Sequence, residues 1–213
     1  MTQTLPVWLH PLADSLPGMT FADLSRFGPP EDGSGRESAV LIAFAETVDG
    51  PGVLLLERAA TLRTHAGQVA FPGGAAEPGE GPATTALREA HEEVGLDPAS
   101  VQVLAALPAL YLPPSGFVVT PVLAWWRAPH PVRAIAASEV ADVAVIPVHE
   151  LADPAHRFLV RHPSGFYGPG FEAGGMFIWG FTAMLLDGLL TRGGWARDWD
   201  QSVERDLPTH RVP

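Results

Sequence analysis

The chain has 213 residues, 46% of them hydrophobic, which is enough for one sizeable core and too few for two ordinary domains with a linker. Its formal net charge of −11 argues against general nucleic-acid binding, because a phosphate backbone is held by clustered basic residues. Cysteine is absent, which excludes a disulfide scaffold, a thiolate metal site and a cysteine nucleophile.

The hydropathy pattern gives no sign of a membrane protein. No run of about 20 apolar residues occurs, and residues 1–17 lack the basic-then-apolar order of a signal peptide. The sequence therefore predicts a cytoplasmic protein with neither membrane nor nucleic-acid partners.

The first elements in chain order are an arm and a loop. Residues 1–27 carry enough large apolar side chains to pack as a helical or irregular arm, whereas residues 28–35 have the Gly, Pro and Ser content of a loop. We therefore expect an N-terminal arm and linker over residues 1–37, the main domain over 38–192 and a C-terminal tail over 193–213.

Short apolar runs separated by turn residues predict a sheet. Residues 39–45 and 53–56 flank a turn-rich connection and suit a hairpin of two buried strands. Further strands are predicted over 101–107, 117–126 and 143–146, and an apolar helix over 181–190. Strands on both sides of a central helix, followed by a late helix, favour an α/β fold with a mixed β-sheet sandwiched between helices.

The central helix is predicted from Pro82 to the residue before Gly95. Proline suits the first helical position, because the N–H that it lacks would be unsatisfied there, and glycine suits the position after the last turn. Between them, apolar residues recur at about 100° per residue and form one stripe that can pack on a sheet. This stripe consists of Ala83, Ala86, Leu87, Ala90 and Val94.

Three glutamates, Glu89, Glu92 and Glu93, are expected on the side of this helix opposite the apolar stripe. Residues three and four apart are neighbours on a helix surface, so like charges there repel unless a cation lies among them. Carboxylate oxygens select hard cations, and Mg2+ usually binds a few carboxylates while bridging to substrate phosphates. A glutamate-rich face is also typical of a solvated helix surface, so residues 88–95 alone leave both interpretations open.

The wider pattern favours the metal site. Residues 74–96 fit the Nudix box, G-x5-E-x7-R-E-U-x-E-E-x-G-U with U an aliphatic residue, and Ala90 and Leu96 fill the U positions. The chain is therefore similar to the Nudix hydrolases, which implies the α/β/α sandwich of the Nudix fold, Mg2+ or Mn2+ as cofactor, and hydrolysis of a phosphoanhydride in a small-molecule nucleotide. The fixed positions of the box are filled by Gly74, Glu80, Arg88, Glu89, Glu92, Glu93 and Gly95.

The resemblance implies metal-binding roles for several residues. Glu89 and Glu93 are the expected direct metal ligands, and the carbonyl of Gly73 is a further one. Glu92 lies between the two glutamates in sequence and could hold another metal ion or orient a water molecule.

Two further roles concern positioning and proton transfer. Arg88 is expected to hold the carboxylates in place through Glu92 or Glu80, the alternative being a plain surface ion pair worth under about 1 kcal/mol. The general base that takes the proton of the attacking water is either Glu92 or Glu139, and the sequence does not choose between them.

A second motif concerns the substrate. Residues 54–58 and 62–74 resemble the segment that marks the coenzyme A pyrophosphatase branch of the Nudix hydrolases, and further resemblance lies at 114–121, 138–147 and 178–183. The resemblance implies cleavage of coenzyme A or acyl-CoA to 3′,5′-ADP and 4′-phosphopantetheine or its acyl form.

A basic island in this acidic chain supports an anionic substrate. Arg58 and Arg63 are candidate phosphate contacts, because planar guanidinium donors pair with phosphate oxygens, although scattered surface arginines are the alternative. His65 and Gln68 belong to the same signature, as does Phe71, which is either a substrate contact or a core residue.

Other functions stay open at this point. The same chemistry on ADP-ribose, another nucleoside diphosphate derivative or a nucleoside triphosphate is one alternative, and a non-catalytic Nudix-fold module that binds a nucleotide is another. No Gly-x-Ser-x-Gly nucleophile elbow occurs, and the absence of lysine excludes a Walker phosphate loop. The oligomeric state is not set by the apolar pattern, and a homodimer is one option.

Overall fold

The computed structural model of the protein describes residues 4–25, 27–62, 64–113, 115–163, 165 and 167–207. Within these ranges, helices α1 to α4 are His10–Asp14, Pro82–Val94, Val148–Leu151 and Gly180–Arg192. None of these helices is long and apolar enough to cross a bilayer. The strands β1 to β12 are Arg36–Thr47, Gly50–Arg58, Val69–Ala70, Gly73–Ala75, Val101–Ala106, Leu110–Leu112, Phe117–Trp126, Val140–Pro147, Arg157–Arg161, Tyr167–Ala173, Met176–Ile178 and Glu204–Asp206.

Strands β1 to β8 form the main sheet. β1 and β2 are the predicted hairpin, antiparallel with Thr47 opposite Gly50. β1 also runs parallel to β7, in a register that places Leu41 opposite Val122. The strand order is β3-β2-β1-β7-β5, with β4 beside β1, β6 beside β7 and β8 beside β2. The expectation of a mixed sheet is therefore confirmed.

The main sheet is apolar on both faces. Successive side chains of a strand point to opposite sides, so Ile42 and Phe44 of β1 join the core on the side of α4. Leu41 and Ala43 join the core on the side of α2. Because burying one large apolar side chain is worth roughly 1.5–3 kcal/mol, this two-sided core holds α2 and α4 on opposite faces. The predicted sandwich of a sheet between helices is confirmed.

Helix α2 has the predicted bounds, and its C-terminal end is fixed by a glycine and by backbone hydrogen bonds. Gly95 has a φ of 72°, the left-handed conformation that glycine adopts without a steric penalty. The carbonyls of the last turn accept backbone hydrogen bonds from the connection between β7 and β8, from Ile135 N–H to Glu93 at 2.9 Å and from Arg133 N–H to Val94 at 3.1 Å. These bonds fix the connection that leads to Glu139 against the end of the helix.

A second sheet, absent from the sequence prediction, contains β9 to β12 in the order β11-β10-β9-β12. β10 pairs antiparallel with β9 and β11, and β12 pairs parallel with β9. β10 contains Gly168, Pro169 and Gly170, a composition that by itself favours a turn. Pairing with neighbouring strands overrides that local preference.

The segments before β1 and after α4 pack on the main domain. Leu9, Leu12 and Leu24 of the arm are at most 4% exposed and belong to the core on the α4 side. After α4, the Trp195 ring lies 5.5 Å from the Phe44 ring. The expected packing of the arm is confirmed, and the boundaries at residues 37 and 192 stay predictions.

Removal of the Trp195 side chain tests whether the segment after α4 stabilises the domain. We expect Trp195→Ala to lower the free energy of unfolding by about 2 kcal/mol, below the usual cost of a fully buried tryptophan because the ring is partly exposed. Thermal or denaturant unfolding measures this change. The matched control is Val48→Ala, at a fully exposed hairpin position; equal stability of the two variants would contradict the packing role.

Candidate active site on helix α2

The carboxylates of α2 do not all face solvent. Glu93 is 4% exposed, and its Oε2 accepts a hydrogen bond from the Gly73 N–H at 2.9 Å. The expectation that all three glutamates lie opposite the buried stripe is therefore wrong for Glu93. The correction has a physical cause, because β4 approaches the helix closely enough for a backbone amide to bind the carboxylate. The buried residues of α2 are Thr85, Ala86, Ala90, Glu93 and Val94.

Charges from three elements meet at Glu93. Burial raises the pKa of Glu93 to about 7, and the hydrogen bond from Gly73 opposes that rise. The charges of Glu89 and Glu139 raise the pKa of Glu93 further, whereas Arg58 lowers it. The fold therefore brings together two predicted metal ligands, a candidate base and a candidate phosphate contact.

Arg88 binds the carboxylates on the open side of this group. Its Nε and Nη2 donate to the two oxygens of Glu80 at 2.9 Å each, and Nη1 donates to Glu89 at 2.9 Å and to Glu92 at 3.3 Å. The bidentate bond from Arg88 is the largest cause that lowers the pKa of Glu80 to about 2. The same bond raises the pKa of Arg88. The predicted contacts of Arg88 with Glu80 and Glu92 are both present, and Arg88 also orients Glu89.

The two glycines before the helix permit its close approach. A Cβ atom at Gly74 would collide with the Glu89 carboxylate, and one at Gly73 would collide with the backbone of β1, where Cα of Val40 lies 2.7 Å away. The fold therefore requires glycine at position 73 for space, whereas a side chain at position 74 would displace the Glu89 carboxylate; neither glycine has a positive φ.

Glu92 and Glu139 differ in their surroundings. The Glu92 side chain is 57% exposed and joins the network through Arg88. Glu139 lies just before β8, where its carbonyl accepts a hydrogen bond from Ala59 N–H at 2.7 Å. This bond ties the segment that carries Glu139 to the chain that follows β2.

Residues 58–68 run from the last residue of β2 to the residue before β3, and we name them the recognition loop after their proposed role. Nδ1 of His65 donates to Oε1 of Gln68 at 2.9 Å, and His65 has a φ of 58°, rare for a residue other than glycine. The loop closes on Arg58, whose N–H donates to Gln68 and whose carbonyl accepts from Gly67. The structure brings Arg58, His65 and Gln68 to one loop.

The other two residues predicted to contact the substrate are Phe71 and Arg63. Phe71 is 3% exposed and lies in the core on the α4 side, so the prediction of a substrate contact is wrong for this residue, because its ring has no open face. Arg63 lies outside the residues that the structure describes.

The donor chemistry fits a hard divalent cation. Glu89, Glu93 and Glu139 are carboxylates close enough for their charges to interact, and Glu93 is buried. Such a group repels itself without a cation, and oxygen donors are those that Mg2+ and Mn2+ prefer. Across the described part of the chain no set of three Asp, Glu or His side chains is already gathered around one point. Glu89 and Glu93 could hold the ion, and the role of the Gly73 carbonyl stays a prediction.

Thr85 is a site residue that the sequence reasoning missed. It is fully buried, and its hydroxyl donates to Oε2 of Glu80 at 3.0 Å. Thr85 thereby holds the acid that fixes Arg88. A polar residue next to Ala86 in the apolar stripe was the available signal.

Comparison with known proteins identifies the class of this fold and site. The family model described as NUDIX domain matches residues 35–163. A protein of Citrobacter koseri named uncharacterized Nudix hydrolase NudL is 39% identical over 161 residues, covering 71% of this chain and 79% of that protein. A protein of the same name from Escherichia coli K12 is 40% identical over 162 residues, with the same two coverages.

Solved structures agree on the fold. A MutT/nudix family protein from Enterococcus faecalis superposes with a TM-score of 0.52 at 15% identity, covering 89% of this chain and 75% of that one. The Nudix hydrolase RenU from M. smegmatis gives a TM-score of 0.50 at 21% identity, covering 73% and 84%. The chain belongs to the Nudix family. It is a Nudix hydrolase, an enzyme that acts on pyrophosphate bonds of small-molecule nucleotides.

Substitution of the two glycines separates folding from positioning. We expect Gly74→Ala to keep the fold and to lower hydrolysis about 100-fold, because the new methyl group displaces the Glu89 carboxylate. We expect Gly73→Ala to destabilise the protein by about 3 kcal/mol, because its methyl group meets backbone atoms. Unfolding curves and a pyrophosphatase assay measure the two effects. Gly81→Ala is the control, since no atom lies within 4 Å of the added Cβ; activity of Gly74→Ala at the control level would refute the positioning role.

Proposed function

We propose that this Nudix hydrolase cleaves the diphosphate of coenzyme A or acyl-CoA, giving 3′,5′-ADP and 4′-phosphopantetheine or its acyl form. One observation carries the proposal: the charge of Arg58, in a segment that resembles the coenzyme A branch, acts on the buried carboxyl group of Glu93 in α2. This charge lowers the pKa of Glu93, and Ala59, the next residue, is hydrogen-bonded to Glu139.

The recognition loop has donors suited to an anionic ligand. Nε of Arg58 is buried and has no hydrogen-bond partner among the described residues, which is costly unless a ligand supplies an acceptor. A guanidinium group pairs well with phosphate oxygens, and coenzyme A carries both a diphosphate and a 3′-phosphate. Arg63, His65 and Gln68 complete the proposed contacts.

The proposed reaction is attack of water on a phosphorus atom, with cleavage of the bridging P–O bond and departure of the other phosphate. A bound Mg2+ or Mn2+ supplies neutralisation of the diphosphate charge and a lower pKa of the attacking water. Glu89 and Glu93 would hold that ion, and Arg88 keeps Glu89 oriented through a hydrogen bond. The water proton passes to Glu139 or Glu92, and the proximity of the Glu139 charge to Glu93 favours Glu139.

A cytoplasmic location and a homodimer remain predictions from the sequence.

Product identification tests the substrate. We expect the purified protein with Mg2+ or Mn2+ to convert coenzyme A to 3′,5′-ADP and 4′-phosphopantetheine faster than it cleaves ADP-ribose or nucleoside triphosphates. Mass spectrometry of the products decides the matter. Preference for another nucleotide would replace coenzyme A as the substrate, and absence of any cleavage would favour the non-catalytic module.

Glu93→Gln tests the metal ligand. The substitution removes a ligand charge and keeps the side-chain shape, so metal-dependent turnover should fall by at least about 100-fold. The thermal midpoint should stay unchanged or rise, because a buried charge is lost. Glu46→Gln, at the exposed end of β1, is the control. Turnover of Glu93→Gln at the control level would eliminate the assignment.

Arg63→Ala tests recognition of the 3′-phosphate. We expect a rise in KM of about tenfold for coenzyme A and a smaller rise for 3′-dephospho-coenzyme A, because truncation removes a phosphate-specific contact. Steady-state kinetics on both substrates measure the difference. Arg127→Ala is the control, since that guanidinium donates to the Ala99 carbonyl on the surface. Equal effects of Arg63→Ala on both substrates would reject the role.

A further inference from the structure

Residues 178–183 resemble the coenzyme A branch, yet they lie outside the Nudix box and the recognition loop. They cover the end of β11 and the start of α4. The hydroxyl of Thr182, in the first turn of α4, donates to the Val69 carbonyl of β3 at 2.9 Å. Thr182 and Val69 are 5% and 3% exposed, so this hydrogen bond is shielded from water.

The accepting carbonyl lies on the open edge of the main sheet. β3 is the last strand in the order β3-β2-β1-β7-β5. The Gln68 carbonyl accepts from Arg58 N–H of β2, and carbonyls alternate in direction along a strand, so the Val69 carbonyl points away from β2. Without Thr182 it would be a buried acceptor on an edge where no further strand continues the main sheet, which is unfavourable.

The backbone between β11 and α4 places Thr182 next to β3. β11 lies against β3, and Gly180 at the start of α4 has a φ of 65°. No atom lies within 4 Å of a Cβ built at Gly180, so glycine is required there for its backbone conformation and not for space. The left-handed residue turns the chain from β11 into α4, and the hydroxyl of Thr182 then reaches the edge of β3.

We propose that Thr182 is a positioning residue for substrate recognition: its hydroxyl anchors β3 and thereby holds the His65–Gln68 pair of the recognition loop in the orientation that binds the substrate. Gln68 directly precedes Val69, and its side chain is bonded to His65. The inference rests on the proposed function, because it assigns the loop to substrate binding. It gives residues 178–183 a role in the same site, transmitted from a helix more than 100 residues away in sequence.

Thr182→Val is the first variant, because it keeps the branched shape and removes the donor. We expect KM for coenzyme A to rise about five- to tenfold with kcat changed by less than about twofold. Thr182→Ser, which keeps a hydroxyl group, should restore KM. The matched control is Thr191→Val on the same helix, whose exposed hydroxyl donates to the Asp187 carbonyl within α4, and it should leave KM unchanged.

A second measurement does not depend on the substrate. Hydrogen–deuterium exchange of peptides covering β3 and Gly67 should be faster in Thr182→Val than in the wild type and in Thr191→Val. Faster exchange together with a raised KM supports the inference. Unchanged exchange, or faster exchange with unchanged KM, overturns it, as does a loss of thermal stability with both kinetic constants preserved.

The two proposals fail in distinguishable ways. If the wild-type enzyme does not cleave coenzyme A, the proposed substrate is wrong. The positioning role of Thr182 is then tested by hydrogen–deuterium exchange at β3 and by the KM for the nucleotide that is cleaved. If the wild-type enzyme cleaves coenzyme A and Thr182→Val has the KM of the control, the substrate assignment stands and the positioning role of Thr182 is wrong.

Discussion

The site depends on a buried carboxylate held between a helix and a strand. Glu93 is 4% exposed, and its contact with the Gly73 amide requires β4 to lie against α2. Burial alone disfavours the charged form of a carboxyl group, and two further acidic residues add to that effect. The glycines before the helix, the left-handed Gly95 at its end and the backbone bonds from the β7–β8 connection all maintain this close approach. The fold thereby concentrates acidic groups at the place where the proposed metal ion would bind.

The protein itself offsets part of this negative charge. Arg88 neutralises Glu80 and Glu89 through short hydrogen bonds, and Thr85 and the backbone amide of Glu77 complete the coordination of Glu80. These ion pairs are only partly exposed, with side chains 14–21% accessible, and solvent that reaches them screens the charges, so their contribution to stability is modest. Their value lies in geometry, since a carboxylate that is already oriented pays less reorganisation when it binds an ion or a substrate. Among the described residues, a backbone amide and the nearby charge of Arg58 offset the charge of Glu93.

The proposed substrate-recognition site is assembled from segments that are distant in sequence. The recognition loop carries Arg58, His65 and Gln68, and backbone bonds of Gly67 and Gln68 to Arg58 close it. Ala59 of that loop is bonded to Glu139, and Val69 at its end is bonded to Thr182. Three of the segments that resemble the coenzyme A branch therefore meet at one edge of the main sheet. Backbone groups make most of the contacts between these segments. The segments can therefore hold one loop in place although the side chains at the contacting positions differ in kind.

The sequence by itself determined the elements whose signals are local. Pro82 and Gly95 bounded α2, and short apolar runs located β1, β2 and β7. The spacing of the box indicated the class of enzyme and made Glu89 and Glu93 its candidate metal ligands. Only the tertiary structure decided that Glu93 is buried, that Phe71 belongs to the core, that Thr85 supports Glu80, and that β9 to β12 form a second sheet. Each of these depends on which surface a neighbouring element covers. Helical periodicity gives the direction of a side chain around the helix axis, but it does not show which directions other elements cover. Glu93 was expected in solvent and is buried because β4 packs there and the Gly73 amide binds its carboxylate.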